Sequence, residues 1–480
     1  MRLARLLAPA LRWRNDTGFE HEREAIERAL ALGTGGFVLF GGEAAVVKDL
    51  TAELRQQSMV PLLIASDLER GAGQQFRGAT QLPPLAALGY LDDLNVTRLA
   101  AALTAREALA LGVDWVLAPV ADLDIEPDNP IVGTRSFGSD ATRVAAHVAA
   151  WVEGCRDEGA RCCAKHFPGH GRTKDDSHAG LPVVDAARNA LDFDLTPFRA
   201  AILAGADAIM TAHVAYPALD ATGSPATASS AIVRKLLREE LGFGGLVMTD
   251  ALIMQGILGE GEARAMIGPV NAGCDVLLYP PDPVAAEAAL TGQLGKTLDR
   301  TAALEAYNRI VAAATGPRRT GSRVDRTTDA QWAGTVAQRA IHVVRGNVEV
   351  PRDFDVLTVD DDLGGPYPPP SRDPFIDSLR SAGFDPRPVR QPDGARTTVV
   401  AVYADIRAWK GRPGLSMQAK RAIEEATTRR PDAVVMLFAH ARLAAESPGS
   451  NVVAAWGGET VMQVAAARWL AAESTPPTAA

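Results

Sequence analysis

The chain has 480 residues, with 49 basic against 58 acidic side chains, for a formal net charge of −9. At roughly 100–200 residues per domain that length predicts two or three domains, unless one of them is a barrel of about 250. A hydrophobic content of 47% and a charged content of 22% mark a globular chain; the mild acidic excess argues against a nucleic-acid partner, and no apolar run reaches the ~18–20 residues of a membrane span.

The chain opens MRLARLLAPALRWRND, where Arg5, Arg12 and Arg14 interrupt the apolar stretch. It reads as the start of a folded domain, not a secretion signal, and the expectation is a cytoplasmic protein. Short, nearly continuous apolar runs follow at 36–40, 61–66, 113–119, 161–165, 207–212, 245–249 and 274–279, with a possible further one in RLLAP near the N-terminus. Such runs are how strands buried on both faces read. Segments of helical character lie between them, VTRLAAALTAREALALG and ATRVAAHVAAWVEGCRDEG among them. Alternating strand and helix predicts a parallel sheet. The count suits a (β/α)8 TIM-type barrel, and an open doubly wound sheet is the alternative. Polar residues stand directly after the runs: Asp67, Asp122, Lys165, His166, His213 and Asp250. In a barrel these positions converge on the C-terminal rim, where active sites are built, so they favour the barrel.

The cysteines, at 155, 162, 163 and 274, form no C-x-x-C pair. Buried free thiols are expected, and neither a disulfide framework nor a cysteine zinc site. From residue 316 the pattern breaks. The polar GPRRTGSRVDRTTD and the helical AQWAGTVAQRAIHVVRG read as a linker and a connecting helix over 316–350. A second alternation then gives strands at 355–360, 397–404, 433–440 and 451–456, with helices in SRDPFIDSLRSAG, SMQAKRAIEEATTRR and ETVMQVAAARWLAA. The expected organisation is a barrel over 1–315 and a smaller α/β (αβα sandwich) domain over 351–475. Loops of the second domain hold Asp361, Asp362, Arg407 and Arg412, as charges reaching a cleft or merely solvated.

Chemistry concentrates in Lys165-His-Phe-Pro-Gly-His-Gly-Arg-Thr-Lys-Asp-Asp-Ser-His178, with three of the eight histidines. A stretch this polar is expected to face solvent or a cleft. Asp176 stands two residues before His178, close enough to fix its tautomer as a general acid/base. A surface loop with incidental histidines remains an alternative. So does a metal site, though the spacing is not the i, i+4 helical pair of a metalloprotease. Asp250 follows a buried strand directly, which holds its carboxylate rigidly and suits a nucleophile; a helix N-cap is its other reading.

Lys165–His178 matches the motif K-H-F-P-G-H-G-x-T-x-x-D-S-H, and on it the chain resembles the bacterial β-N-acetylglucosaminidase branch of the family 3 glycoside hydrolases. GGFVLF, LIASDLERG, NPIVGTRSFGSD, MTAHVAYPALD, VMTDALIMQGI and, near the end, NVVAAWGGETVMQVAAARWL resemble further family segments in the right order. The resemblance implies a retaining exo-β-N-acetylglucosaminidase without metal or cofactor, acting on small glycans such as peptidoglycan fragments, with a role in peptidoglycan recycling. Asp250 would be the nucleophile and His178 with Asp176 the acid/base dyad. Asp67, Arg135, Lys165 and His166 would bind the sugar hydroxyls, and His213 would line the site. A β-glucosidase-type relative, an N-acetylglucosamine phosphorylase and an inactive glycan-binding protein are the alternatives. The chain departs from the family pattern at Ala72 and Gln75, where arginines are usual, and at Arg172, where an Asp is common. Arg70 or Arg77 is expected to compensate at the first of these places.

Overall fold

The computed structural model describes residues 1–258, 261–316, 321–362, 369–406, 410 and 412–474. They form two compact units. The first holds Met1–Thr80, Leu94–Glu126 and Ser139–Arg326; the second holds Gln81–Asp93, Pro127–Gly138 and Thr327–Ala480.

The first unit is the TIM-type barrel. Its strands are β1 (Leu7–Ala8), β2 (Ala10–Arg12), β3 (Gly36–Phe40), β4 (Leu63–Ser66), β5 (Trp115–Val116), β6 (Arg161–Phe167), β7 (Ala208–Thr211), β8 (Leu246–Met248) and β9 (Leu277–Leu278). Strands β2 to β8 pair in parallel in chain order. Met248 bridges Val276, and β9 pairs with β1 in parallel. Strands β1 and β2 are one segment interrupted at Pro9, and β1 also accepts from Gly35 N–H at 2.9 Å. Among the described residues, eight parallel segments therefore close into a ring. Leu7, Val38, Ala65, Trp115, Cys163, Met210 and Met248 fill it from successive strands. The open-sheet alternative is excluded by that closure.

Several strands are shorter than their apolar runs, for a local reason. Asp114, Asp207 and Asp275 stand at the starts of such runs. Each turns its carboxylate back to accept a backbone N–H of the preceding strand, from Ile64 (3.2 Å), Cys162 (3.2 Å) and Val247 (2.8 Å) respectively. The four cysteines are free and buried. No helix among the described residues is long and apolar enough to cross a membrane.

The second unit is built on a six-stranded sheet of β10 (His342–Arg345), β11 (Asp353–Asp360), β12 (Asp385–Val389), β13 (Thr398–Tyr403), β14 (Val434–Phe438) and β15 (Asn451–Ala454), in the order β10-β15-β14-β13-β11-β12. All pairs are parallel except β10 with β15. Alternate residues of the central strands face opposite layers. Val399, Ala401, Val434 and Met436 pack with Phe375, Leu379, Met462 and Leu470. Val400, Val402, Val435 and Leu437 pack with Ala419, Ile423 and Ala426. Helices on both faces make an αβα sandwich.

Two expectations need correcting here. The helix expected over 330–346 ends at Ala340, and IHVVR continues as β10, whose β-branched run favours a strand once a partner is present. The strand β12 was not expected, because Pro386 and Pro388 interrupt it; it lies at the sheet edge, where a missing N–H costs nothing. Of the loop charges, Asp361 is buried against Arg412 (2.6 Å) and Asp362 against Arg372 (2.9 Å), so neither is a solvated surface charge. Arg407 lies outside the described residues.

Candidate active site

Five of the expected residues sit just past or at the C-terminal ends of barrel strands. Asp67 follows β4, Lys165 and His166 lie near the end of β6, His213 follows β7 and Asp250 follows β8. Parallel strands deliver their side chains to one rim, which is why residues far apart in sequence meet there.

Lys165 is buried and its ammonium lies 2.6 Å from Asp67 Oδ1 and 2.7 Å from Glu69 Oε1. A buried cation between two carboxylates is compensated in place, and it leaves charged donors and acceptors side by side, as a polyol without charge of its own requires. His166 bonds through Nδ1 to Asp122 Oδ2 at 2.7 Å. The carboxylate accepts this hydrogen bond and so fixes the orientation of the ring. Asp122 also accepts from the backbone N–H of His166 (3.1 Å) and of His170 (2.7 Å), tying both ends of the turn. Burial acts to raise the Asp122 carboxyl, but the His166 charge and hydrogen bond outweigh it and hold the carboxyl low.

The motif stretch, expected to face solvent or a cleft, exposes Lys174 and Asp175 but turns other polar residues inward. His170, Thr173 and Ser177 are buried. His170 bonds to Thr173 Oγ1 (2.8 Å) and Ser177 Oγ (3.1 Å), and burial lowers its imidazole to about 4. Gly171 lies against the Leu123 carbonyl, where a Cβ would come to 1.9 Å. Polar residues satisfy one another inside a tight turn, so composition alone misjudges its exposure. Arg172 grips Asp194 with Nε (2.6 Å) and Nη2 (3.1 Å), fastening the loop to the next helix.

His178 remains partly exposed. Its Nδ1 lies 2.7 Å from Asp176 Oδ1, and the same oxygen accepts its backbone N–H at 2.8 Å. The carboxylate thus fixes the ring and its orientation together. Asp250 accepts from the Ala251 N–H at 2.7 Å. Burial pushes its carboxyl up, yet the imidazoles of His166 and His213, the Ala251 N–H and His178 overcome this and hold it at about 2. A partly buried carboxylate kept ionised in this way can serve as a nucleophile. His213 is fully buried and bonds to Thr227 Oγ1 (2.8 Å) and the Ala251 carbonyl (3.2 Å). Both ring nitrogens are engaged, which ties the ring to the turn bearing Asp250.

Glu69, Asp122 and His170 are drawn into the cluster although none of them was among the expected site residues. Asp122 was visible as a polar residue after an apolar run; Glu69 and His170 carried no separate signal. Arg135 ends a short 3-10 turn, Gly133–Arg135, in a segment belonging to the second unit. Gln75 accepts from Gly41 N–H at 3.0 Å, and Arg77 pairs with Glu43 (2.6 Å) and Asn15 (3.0 Å). Arg77 is thereby committed on an exposed flank.

Residues 17–312 match the family described as "Glycosyl hydrolase family 3 N terminal domain". A beta-hexosaminidase of Nitrosomonas eutropha is 38% identical over 271 residues, covering 54% of this chain and 76% of that protein. A "Beta-N-acetylglucosaminidase/beta-glucosidase" of Cellulomonas fimi is 36% identical over 259 residues, covering 52% of this chain and 46% of that one. Across nearly the full length, the structure of a glycoside hydrolase family 3 beta-N-acetylglucosaminidase from Paenibacillus sp. str. FPU-7 superposes with a TM-score of 0.85 at 29% identity, covering 98% of this chain and 96% of that one.

Proposed function

The chain belongs to glycosyl hydrolase family 3 and is a glycoside hydrolase, and from that premise we propose that it removes β-linked N-acetylglucosamine from the non-reducing ends of small glycans, peptidoglycan fragments among them. The observation that carries the reading is an ionised, partly buried Asp250 together with a partly exposed His178–Asp176 dyad. Double displacement needs a carboxylate below the anomeric carbon and a proton donor at the leaving oxygen. In the first step Asp250 attacks and His178 gives its Nε2 proton to the departing oxygen. In the second, the neutral imidazole takes a proton from water as the water oxygen attacks the anomeric carbon and releases the Asp250 carboxylate, so configuration is retained. Asp67 and Lys165, with Glu69 behind them, and His166 backed by Asp122 would hold the hydroxyls.

The test compares nitrophenyl β-N-acetylglucosaminide with nitrophenyl β-glucoside, in phosphate and in phosphate-free buffer. Faster hydrolysis of the first is expected. Faster release from the glucoside would reject the substrate assignment, and formation of a sugar 1-phosphate would replace hydrolysis with phosphorolysis. Asp250→Asn is expected to lower kcat by more than about 10³-fold, as loss of a covalent nucleophile does. Undiminished turnover would remove Asp250 from the role.

A further inference from the structure

Arg172 and Asp194 join the motif loop to the helical layer of the barrel. Arg172 precedes His178 on the loop, and Asp194 ends the helix Arg188–Asp194. Arg172 donates from Nε to one carboxylate oxygen (2.6 Å) and from Nη2 to the other (3.1 Å), and Nη2 also reaches the Ala190 carbonyl (3.3 Å). Asp194 is buried, as are Leu191, Leu195 and Phe198 around it in the chain. Burial raises its carboxyl, and the hydrogen bond and charge of Arg172 oppose that rise. A buried carboxylate is costly without its partner, and a two-point arginine pair fixes direction as well as distance. Gly169, where the loop begins, packs on the same residue: a Cβ there would lie 3.1 Å from Asp194 Cβ.

Asp194 stands on a firm base. Its helix runs almost directly into Thr196–Ala204, whose Phe198 packs edge-on against Phe167 of β6, with ring centres 5.3 Å apart. The same strand carries Lys165 and His166. The segment Thr173–Ser177 that leads to His178 is neither helix nor strand, so side chains must hold it. His170 ties it internally to Thr173 and Ser177. At its far end the Gly256 N–H donates to the Ser177 carbonyl at 3.1 Å, which joins it to the segment after Asp250. At its near end the Arg172 fork joins it to the helix. An aspartate at 172, common in the family pattern, cannot make that fork and would face Asp194 with like charge.

We propose that Arg172 and Asp194 are positioning residues for the acid/base dyad: together they set where His178 stands relative to the leaving oxygen, without touching the sugar. The inference rests on the glycosidase reading above and adds to it two residues that act through His178. A displacement of ~1 Å at a reacting centre costs up to ~10²-fold in rate, so loss of the pair is felt in proton transfer while the sugar subsite is unchanged.

The test uses the full chain and two substrates, phenyl β-N-acetylglucosaminide, whose leaving oxygen needs a proton, and its dinitrophenyl counterpart, whose leaving oxygen does not. Arg172→Gln is expected to lower kcat/KM for the phenyl sugar about 10–10²-fold and for the dinitrophenyl sugar less than about twofold, with inhibition by free N-acetylglucosamine unaltered. Asp194→Asn should give the same pattern, and the double variant should lose no more than the larger single loss. Arg172→Lys, which keeps the charge and not the fork, should recover part of the activity. Should Arg172→Gln fail to fold, Asp194→Asn, which keeps the size of the side chain and one acceptor oxygen, carries the test. Equal losses on both substrates, no loss on the phenyl sugar, or losses that add in the double variant overturn the proposal and leave the parent reading standing. Failure of the unaltered chain to hydrolyse either sugar overturns the parent reading and this proposal with it.

Discussion

Asp250 and His170 show how burial acts in opposite directions on neighbouring groups. Around Asp250, imidazoles and a backbone N–H outweigh desolvation, and the carboxyl is held at about 2. His170 has no comparable compensation, and burial lowers it to about 4. In the unfolded chain a histidine takes its proton near pH 6.5. Between those values the unfolded state binds the additional proton, so folding stability falls as pH falls. From pH 7 to pH 5 the loss from His170 alone is about 2 kcal/mol. Urea unfolding at both values checks it, and in His170→Gln the difference should shrink by that amount. The lowered His213 adds to the same trend, while the Asp250 contribution is lost only below about pH 4. A second prediction separates the dyad from the nucleophile. His178→Ala should lose ~10²–10⁴-fold against a poor leaving group, the range of general acid catalysis. It should lose far less in the first step with a dinitrophenyl sugar, which departs without a proton. Equal losses with both would assign His178 a structural part only.

At the scale of single elements, one carboxylate device recurs at three strand starts. Asp114 is paired with Arg55 (2.6 Å), and Asp275 with Arg238 (2.7 Å) and Arg309 (2.8 Å), while Asp207 accepts the Cys162 N–H. They lie at the opposite end of the strands from the candidate site, where barrel residues serve stability. Packing of the barrel helices depends on a glycine. Gly154 in Ala141–Glu158 lets that helix approach Leu94–Ala110, and a Cβ there would lie 2.1 Å from the Arg98 carbonyl. Gly154→Val forces the pair apart and is expected to cost about 2–3 kcal/mol by overpacking. A denaturation midpoint unchanged from the parent chain would contradict this.

For the molecule as a whole, the two units are not simple consecutive lengths of chain. Gln81–Asp93 and Pro127–Gly138 belong to the second unit although they lie between barrel strands in sequence. Within that unit Tyr90 stacks on His342 with ring centres 4.0 Å apart, and Thr134 donates to Asp405 at 2.5 Å. Gly89 lies so close to the Phe137 carbonyl that a Cβ would come to 1.8 Å. We propose the division at 1–315 and 351–475 for the covalent domains. The two inserted segments then predict that the first of these does not stand well alone. Residues 1–315 expressed by themselves should melt well below the full chain or aggregate, since these segments lose their partners. A fragment melting at the temperature of the parent would show that the segments fold with the barrel. The acidic balance of −9 needs no role in binding a neutral sugar, where a few placed charges decide.

The amino-acid order alone determined the alternation of buried strands and helices, the family motif from Lys165 to His178, and the strand-end placement of Asp67, Lys165, His166 and Asp250. These follow from local periodicity and from residue types that cannot be buried without purpose. Tertiary structure decided that Glu69 completes the Lys165 pair, that Asp122 holds His166 and His170, and that the motif's polar residues turn inward. It also decided the β10 strand, the proline-bearing edge strand β12, and the meeting of Arg12 with Tyr279. Each of these depends on which distant segments become neighbours when the sheet closes, and a partner contributed from a hundred or more residues away leaves no periodicity for the sequence to display.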